Sequence, residues 1–309
     1  MRFRCEPSPA AAGAECAVAA DCHIHTALDG ADWRAAFARH RESPDETGVR
    51  AVLARYAQAG VTYLRDGGDK FGASLLAARL APEYGIEYAS PAFPLFEKGN
   101  AGGFLGRAFE GRAGFEELLE QAQAAGAAFA KLLLSGINDF TRYGAFEGHA
   151  LDAPLMRFMV ERAHAAGLPV MAHVNGADAV LAAACAGVDS VEHGFYLDER
   201  ALDAMRETGC VWVPTFAPVA VLVGGGVYPD AVLNGMLAHH ARMLRHAVER
   251  GCAVALGSDA GAGGAAHVHA SQVEARSFAD ALGSDWRAAA AHGCGVVRER
   301  FSSHSSVSL

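Results

Sequence analysis

Residues 168–216, LPVMAHVNGADAVLAAACAGVDSVEHGFYLDERALDAMRETGCVWVPTF, alternate three short apolar runs with two helical ones. LPVMAH (168–173), VDSVEH (188–193) and CVWVPTF (210–216) read as strands, and 177–186 and 198–208 as the helices between them. Strands separated by helices belong to a parallel sheet. Working outward, the same grammar gives strands at 17–22, 61–66, 86–91 and 128–135 upstream and at 252–259 downstream. Helices are predicted at 43–60, 70–81, 115–125, 152–166, 230–250 and 271–282. Ser43 and Glu46 have capping-box spacing with Pro44 between them, Gly60 suits a helix exit, and Asp152 is a natural N-cap with Pro154 just inside. Eight strand–helix units favour an α/β fold closed as a (β/α)8 TIM barrel, with an open doubly wound sheet as the alternative. The expected organisation is a loose arm over 1–17, the barrel over 18–300 and a disordered tail over 301–309.

The composition narrows the partners. The chain has 309 residues, 51% hydrophobic and 20% charged, which suits a large soluble core. A net charge of −9 argues against nucleic acid, whose binding rests on cationic contacts to phosphates. No apolar run approaches the roughly 18 residues of a membrane span, and the opening MRFRCEPSPAAAGAEC lacks the apolar core of a signal peptide. Seven scattered cysteines without a CxxC pair fit reduced thiols and a cytoplasmic setting. A small-molecule substrate is the partner expected, and assembly into a homo-oligomer is left open.

In such a barrel, reacting groups gather at the C-terminal ends of the strands. There the sequence places His23 and His25 after the first strand, Lys131 on the fourth, His173 on the fifth, His193 on the sixth and Asp259 on the eighth. One strand-end histidine is ordinarily a hydrogen-bonded core or loop residue, and Glu192 could hold His193 in that way. Four histidines and an aspartate at the same ends are a different matter. Alternation puts His23 and His25 on one side, with Asp21 placed to hydrogen-bond a ligand, and imidazole with carboxylate suits zinc and similar divalent metals. His164, His239, His240 and His246 on helices read as solvated or capping residues, and the His267/His269 pair as a polar loop.

In this order, DCHIHT (21–26), FAKLLLSG (129–136), MAHVNG (171–176), VEHG (191–194) and LGSDAG (256–261) closely resemble the motifs of the amidohydrolase superfamily of metal-dependent hydrolases. The likeness runs over about residues 21–271. VEHGFYLDE and VWVPTF are most similar to its imidazolonepropionase and Xaa-Pro dipeptidase branch. The resemblance implies a metal centre at the mouth of a (β/α)8 barrel. It makes His23, His25 and Asp259 ligands of the more buried metal and His173 and His193 ligands of a second. Lys131, carboxylated on its amine, would bridge two zinc ions, although some relatives lack the lysine and use one metal. A protonated ammonium only donates and cannot bind a cation. Burial lowers the pKa of a lysine, and CO2 converts the neutral amine to an anionic ligand. The implied reaction is hydrolysis of an amide-type C–N bond in an N-acyl amino acid, dipeptide or cyclic amide, with metal-activated water and Asp259 as general acid and base. The alternatives are a mononuclear deaminase, isomerase or decarboxylase of the same superfamily, and a non-catalytic metal-binding barrel.

Specificity is expected in the loops that follow the strands. Arg65 and Arg142 are candidates to pair a substrate carboxylate, and Tyr143 and Tyr196 to line the substrate. Most members of this branch add a small β-sandwich. With 22 residues before His23 and no strand pattern after the last helix, the expectation is either a barrel without it or a shortened chain.

Overall fold

The computed structural model describes residues 19–302. The expected arm over 1–17 and the tail from 303 onward lie outside the described residues. Phe301 and Ser302, expected in the tail, are described, and Phe301 closes a helix. The chain opens with β1 (Ala20–Ile24), α1 (Trp33–Arg39), α2 (Glu46–Gln58), β2 (Tyr63–Asp66), α3 (Ala73–Leu80) and β3 (Glu87–Ala89). Then come β4 (Leu95–Glu97), β5 (Arg107–Phe109), α4 (Gly111–Ala124), β6 (Ala130–Leu133), the pair β7 (Ile137–Asn138) and β8 (Phe146–Glu147), and α5 (Ala153–Ala165). The region quoted at the start supplies β9 (Val170–Val174), α6 (Ala177–Ala186), β10 (Ser190–His193), α7 (Glu199–Thr208) and β11 (Val211–Val213). The chain continues through α8 (Ala217–Ala220), α9 (Asp230–Glu249), α10 (His269–Leu282) and α11 (Trp286–Phe301).

The expected parallel order is present. One sheet runs β1-β2-β3 and another β11-β10-β9-β6-β4-β5, every neighbour parallel. Two seams join them. Residues 252–259 run between β11 and β1, with Trp212 N donating to Ala253 O (2.9 Å) and Cys22 N to Leu256 O (2.8 Å). On the far side Ala128 N donates to Ser90 O (2.8 Å), linking the end of β3 to the start of β6. The expected eighth strand is therefore extended but bridges singly, at Val254 and Ala260. Glycine explains its closeness to β1: a Cβ at Gly257 would lie 2.4 Å from Val213 Cγ1 and 3.0 Å from His23 N.

Side chains alternate across this wall. Cys22, Tyr63, Phe129, Met171, Val211, Val213 and Ala255 pack inward together, closed from below by Val297 and Phe301 of α11. Leu132, Val170, Ala172, Val191 and Trp212 face outward into the helices.

Several local expectations are corrected. The N-cap of α2 is Asp45, which accepts from Gly48 N (3.1 Å), and not the Ser43/Glu46 box. Asp152 caps α5 as expected, accepting from Leu155 N at 2.7 Å. The helix α11 was not anticipated, because Gly293 and Gly295 weaken its helical signal. Gly293 is needed for packing: a Cβ there would meet Val254 O at 2.0 Å, so the helix backbone rests directly on the eighth segment. His240 is not solvated but fully buried, bonding Pro214 O through Nε2 and stacked on Phe195 at 4.1 Å.

Candidate metal centre

The first two histidines reach the mouth through an irregularity. Between Asp21 and Ile24 the register of β1 against β2 shifts, and such a bulge breaks the period-two alternation. Cys22 faces inward, Ile24 packs on the helical layer, and both histidines turn to the centre. Asp21 is not on their side. Its carboxylate accepts from the Ser258 and Ser271 hydroxyls (2.5 Å each), from Ser258 N (2.8 Å) and from His23 N (3.3 Å), so it does bond a candidate ligand residue as expected, but at the backbone and not at the ring. Burial, outweighing these bonds, pushes its pKa up.

Two further residues are aimed by strained backbone. Ser190 and Glu192 point inward, so alternation would send His193 outward. His193 instead has φ 65° and Asp259 φ 51°, conformations that non-glycine residues seldom adopt and that collect at functional sites. The His193 ring turns to within 4.6 Å of the His173 ring and 5.1 Å of the His23 ring.

Asp259 sits among them. Its Oδ1 lies 3.2 Å from His25 Nε2 and 3.6 Å from His23 Nε2, and its Oδ2 lies 3.9 Å from His193 Nδ1. His23, His25 and Asp259 each offer a ligand atom within 4.8 Å of the others. Burial pushes the imidazoles of His23 and His193 well below the ordinary histidine range. Burial and then Lys131 take His173 to about 4, and burial takes the Lys131 amine down to about 8. Burial alone would raise Asp259, but His23, His25 and Lys131 outweigh it and hold the carboxylate below its usual range.

This donor set fits a divalent cation. Neutral imidazoles, a carboxylate and a weakened amine are what a borderline metal needs. Three of the atoms are also left over: His23 Nε2, His25 Nδ1 and Lys131 Nζ are buried with no hydrogen-bond partner among the described residues. An unpaired buried polar atom costs about 1–3 kcal/mol, and a shared cation would satisfy several at once.

The substrate candidates divide. Arg65 is wholly buried, its guanidinium bound to Glu192, Ser190 and Cys22 O, so it presents no surface to a substrate carboxylate. Arg142 lies out in solvent, paired with Asp139 at 2.9 Å. Tyr143, about half exposed, stands edge-on to Tyr196 at 5.0 Å, and Phe146 reaches the same ring at 5.7 Å. The Tyr196 hydroxyl is buried without a partner among the described residues. His267 sits in the turn before α10, as expected of a loop residue, but it is buried, with Nε2 on Leu28 O and Nδ1 near the Tyr56 hydroxyl.

Sequence reasoning passed over several supporting residues. Glu192 holds His23, not His193 (Oε2 to Nδ1, 2.8 Å), while Thr215 holds His193 (2.7 Å). Asn175, two residues beyond His173 and so on the same face, lies 3.4 Å from its Nε2. That spacing in MAHVNG was a readable signal; nothing local in VEHG marks Glu192 as a partner of the first strand.

The family model described as Amidohydrolase family matches residues 19–292. Ochratoxinase of Aspergillus niger is 32% identical over 114 residues, 35% of this chain and 24% of that protein. An uncharacterized protein of Mycobacterium bovis is 33% identical over 113 residues, 35% of this chain and 30% of that one. The alignments thus span about a quarter to a third of these relatives. Among solved structures, A. niger ochratoxinase superposes with a TM-score of 0.73 at 19% identity, covering 92% of this chain and 71% of that one. A Xaa-Pro dipeptidase with bound methionine gives 0.69 at 20% identity, covering 93% and 77%. No helix among the described residues is long and apolar enough to cross a membrane.

Proposed function

Since this chain belongs to the amidohydrolase family, we propose that it is a metal-dependent hydrolase of amide-type C–N bonds in small molecules. The observation that carries this reading is the convergence of His23, His25 and Asp259, beside a buried Lys131 amine that has no hydrogen-bond partner among the described residues. His23, His25 and Asp259 would hold one divalent cation, with zinc suited to the donors, and His173 and His193 a second. Lys131, as its carbamate, would lie between them. Such an ion supplies Lewis acidity, polarising a carbonyl and making water nucleophilic at neutral pH.

The chain's own groups do the rest. Asp259, ionised at neutral pH, accepts the proton of the attacking water and returns it to the leaving nitrogen. Thr215 fixes the His193 ring, and Tyr143, Phe146 and Tyr196 form an apolar wall suited to a hydrocarbon or aromatic part of the substrate. N-acyl amino acids and dipeptides are the substrates this wall suits best, in line with the ochratoxinase and Xaa-Pro dipeptidase folds. The free state of all five described cysteines fits a reducing compartment.

The test is turnover of N-acyl amino acids, dipeptides, lactones and cyclic amides by zinc-replete protein, with metal content measured on the same sample. Hydrolysis with about two metals per chain, lost in Asp259→Asn, is the expected result. Turnover with about one metal favours the mononuclear reading, which the tight three-residue cluster also suits. Bound metal with no turnover across the panel would leave a binding barrel and sink the enzyme.

A further inference from the structure

Beneath the metal ligands lies a buried ion pair that the proposed chemistry does not use. Arg65 on β2 donates from Nη2 to Glu192 Oε1 (2.8 Å), from Nη1 to the Ser190 hydroxyl (2.9 Å) and from Nε to Cys22 O (2.7 Å). Ser190 donates in turn to Glu192 Oε1 at 2.5 Å. With Oε1 saturated, the other carboxylate oxygen, Oε2, is left for His23 Nδ1 at 2.8 Å. Every one of these side chains is fully buried. Phe301 covers the guanidinium from the floor, its ring 4.4 Å from the central carbon.

The direction of the last bond follows from what each group can do. A carboxylate paired with a guanidinium carries no proton of its own and accepts at both oxygens. The ring proton of His23 must therefore sit on Nδ1, which leaves the Nε2 lone pair bare, on the side of His25 and Asp259. Free histidine prefers the opposite arrangement, with the proton on Nε2. We infer that Arg65 and Glu192 are positioning residues: the pair locks His23 in the Nδ1–H tautomer and so prepares Nε2 to bind the cation. This rests on the metal-centre reading of the site, since only a ligand at Nε2 gives the locked tautomer a use.

The variant that isolates the effect is Glu192→Gln, equal in shape but with one oxygen replaced by an NH2 group. Arg65 can only donate toward this side chain, so the amide must turn its oxygen to the guanidinium and its nitrogen to His23. The amide then donates to Nδ1 and drives the ring proton onto Nε2, where it blocks the cation.

Two measurements test this. In chelator-stripped wild-type protein, long-range 1H–15N correlation of labelled histidine should show His23 as the Nδ1–H tautomer; an Nε2–H ring overturns the inference without any mutant. In Glu192→Gln the tautomer should reverse, and competition against a chromogenic chelator should show Zn2+ held about 10–100-fold more weakly. A variant that keeps the Nδ1–H ring and binds Zn2+ within twofold of wild type also overturns it. If wild-type protein takes up no Zn2+, the metal-centre reading falls by itself, while the tautomer spectrum still decides the orientation of His23.

Discussion

Gly67 has no side chain, yet it sets the room in which His25 stands. A Cβ built there would lie 2.3 Å from His25 Cε1 and 2.9 Å from both ring nitrogens. Real carbon atoms do not approach so closely, so the ring must move. The fold around it is held by Asp66, which accepts from Thr26 N and Gly68 N and does not need residue 67 bare. Gly67→Ala is therefore expected to keep its far-ultraviolet circular dichroism while losing tenfold or more in zinc affinity. Unchanged affinity would show that the ring relocates freely. At this scale the sequence was uneven. That the HxH pair, Lys131, His173, His193 and Asp259 would gather in one place was legible, because each ends a strand or faces inward from one; their role as ligands is a proposal. Arg65 was misread as a substrate contact. It lies near a strand end like the others, and only its three-dimensional partner Glu192, far along the chain, shows that its charge is spent inside. Asp21 was misplaced because a single bulge reverses alternation, and bulges leave no periodic trace.

Among the elements, α11 changes the picture most. The short helices α1 and α8 were not anticipated either, but the longer ones were, and α6 has the bounds its sequence suggests, because alanine-rich runs ending in Gly187 mark both propensity and stop. Two glycines and a short polar face hid α11. Its Phe301 is fully buried against Phe129 and over Arg65. Phe301→Ala should lower unfolding free energy by about 3–5 kcal/mol, the usual cost of removing a buried phenylalanine, read from urea titration. A loss below about 1 kcal/mol would mean the helix is loosely seated. A second link is pH-dependent. His164 on α5 bonds Asp189 just before β10 at 2.8 Å, and that bond raises its pKa despite partial burial. Because the folded value is raised, its stabilising effect is complete below the ordinary histidine pKa of about 6.5. The effect fades as pH rises through the folded value. His164→Ala should therefore cost stability at pH 5.5 and little at pH 9; an equal loss at both would rule out the charge as the cause.

For the whole molecule, the parallel order of strands was legible because alternating strand and helix signals leave few topologies. The irregular eighth segment was not, since its backbone follows the needs of the site more than those of a ladder. The proposed ligands come from five separate segments of the wall, so a cation bound among them would tie distant parts of the chain together. Binding to the folded state alone stabilises it, by about 2.7 kcal/mol at a hundredfold excess over Kd. Chelation should lower the melting temperature, and zinc should restore it; an unchanged melting temperature would mean the ion is not held by the folded chain. The path of the wall has a consequence for synthesis. His23 and His25 leave the ribosome well before Asp259, and the helix that seats Arg65 follows later still. A nascent chain would thus carry part of the proposed site for more than 200 residues of synthesis before Asp259 appears. Cation capture at the proposed site would then wait until the segment at 252–259 has reached the first strand.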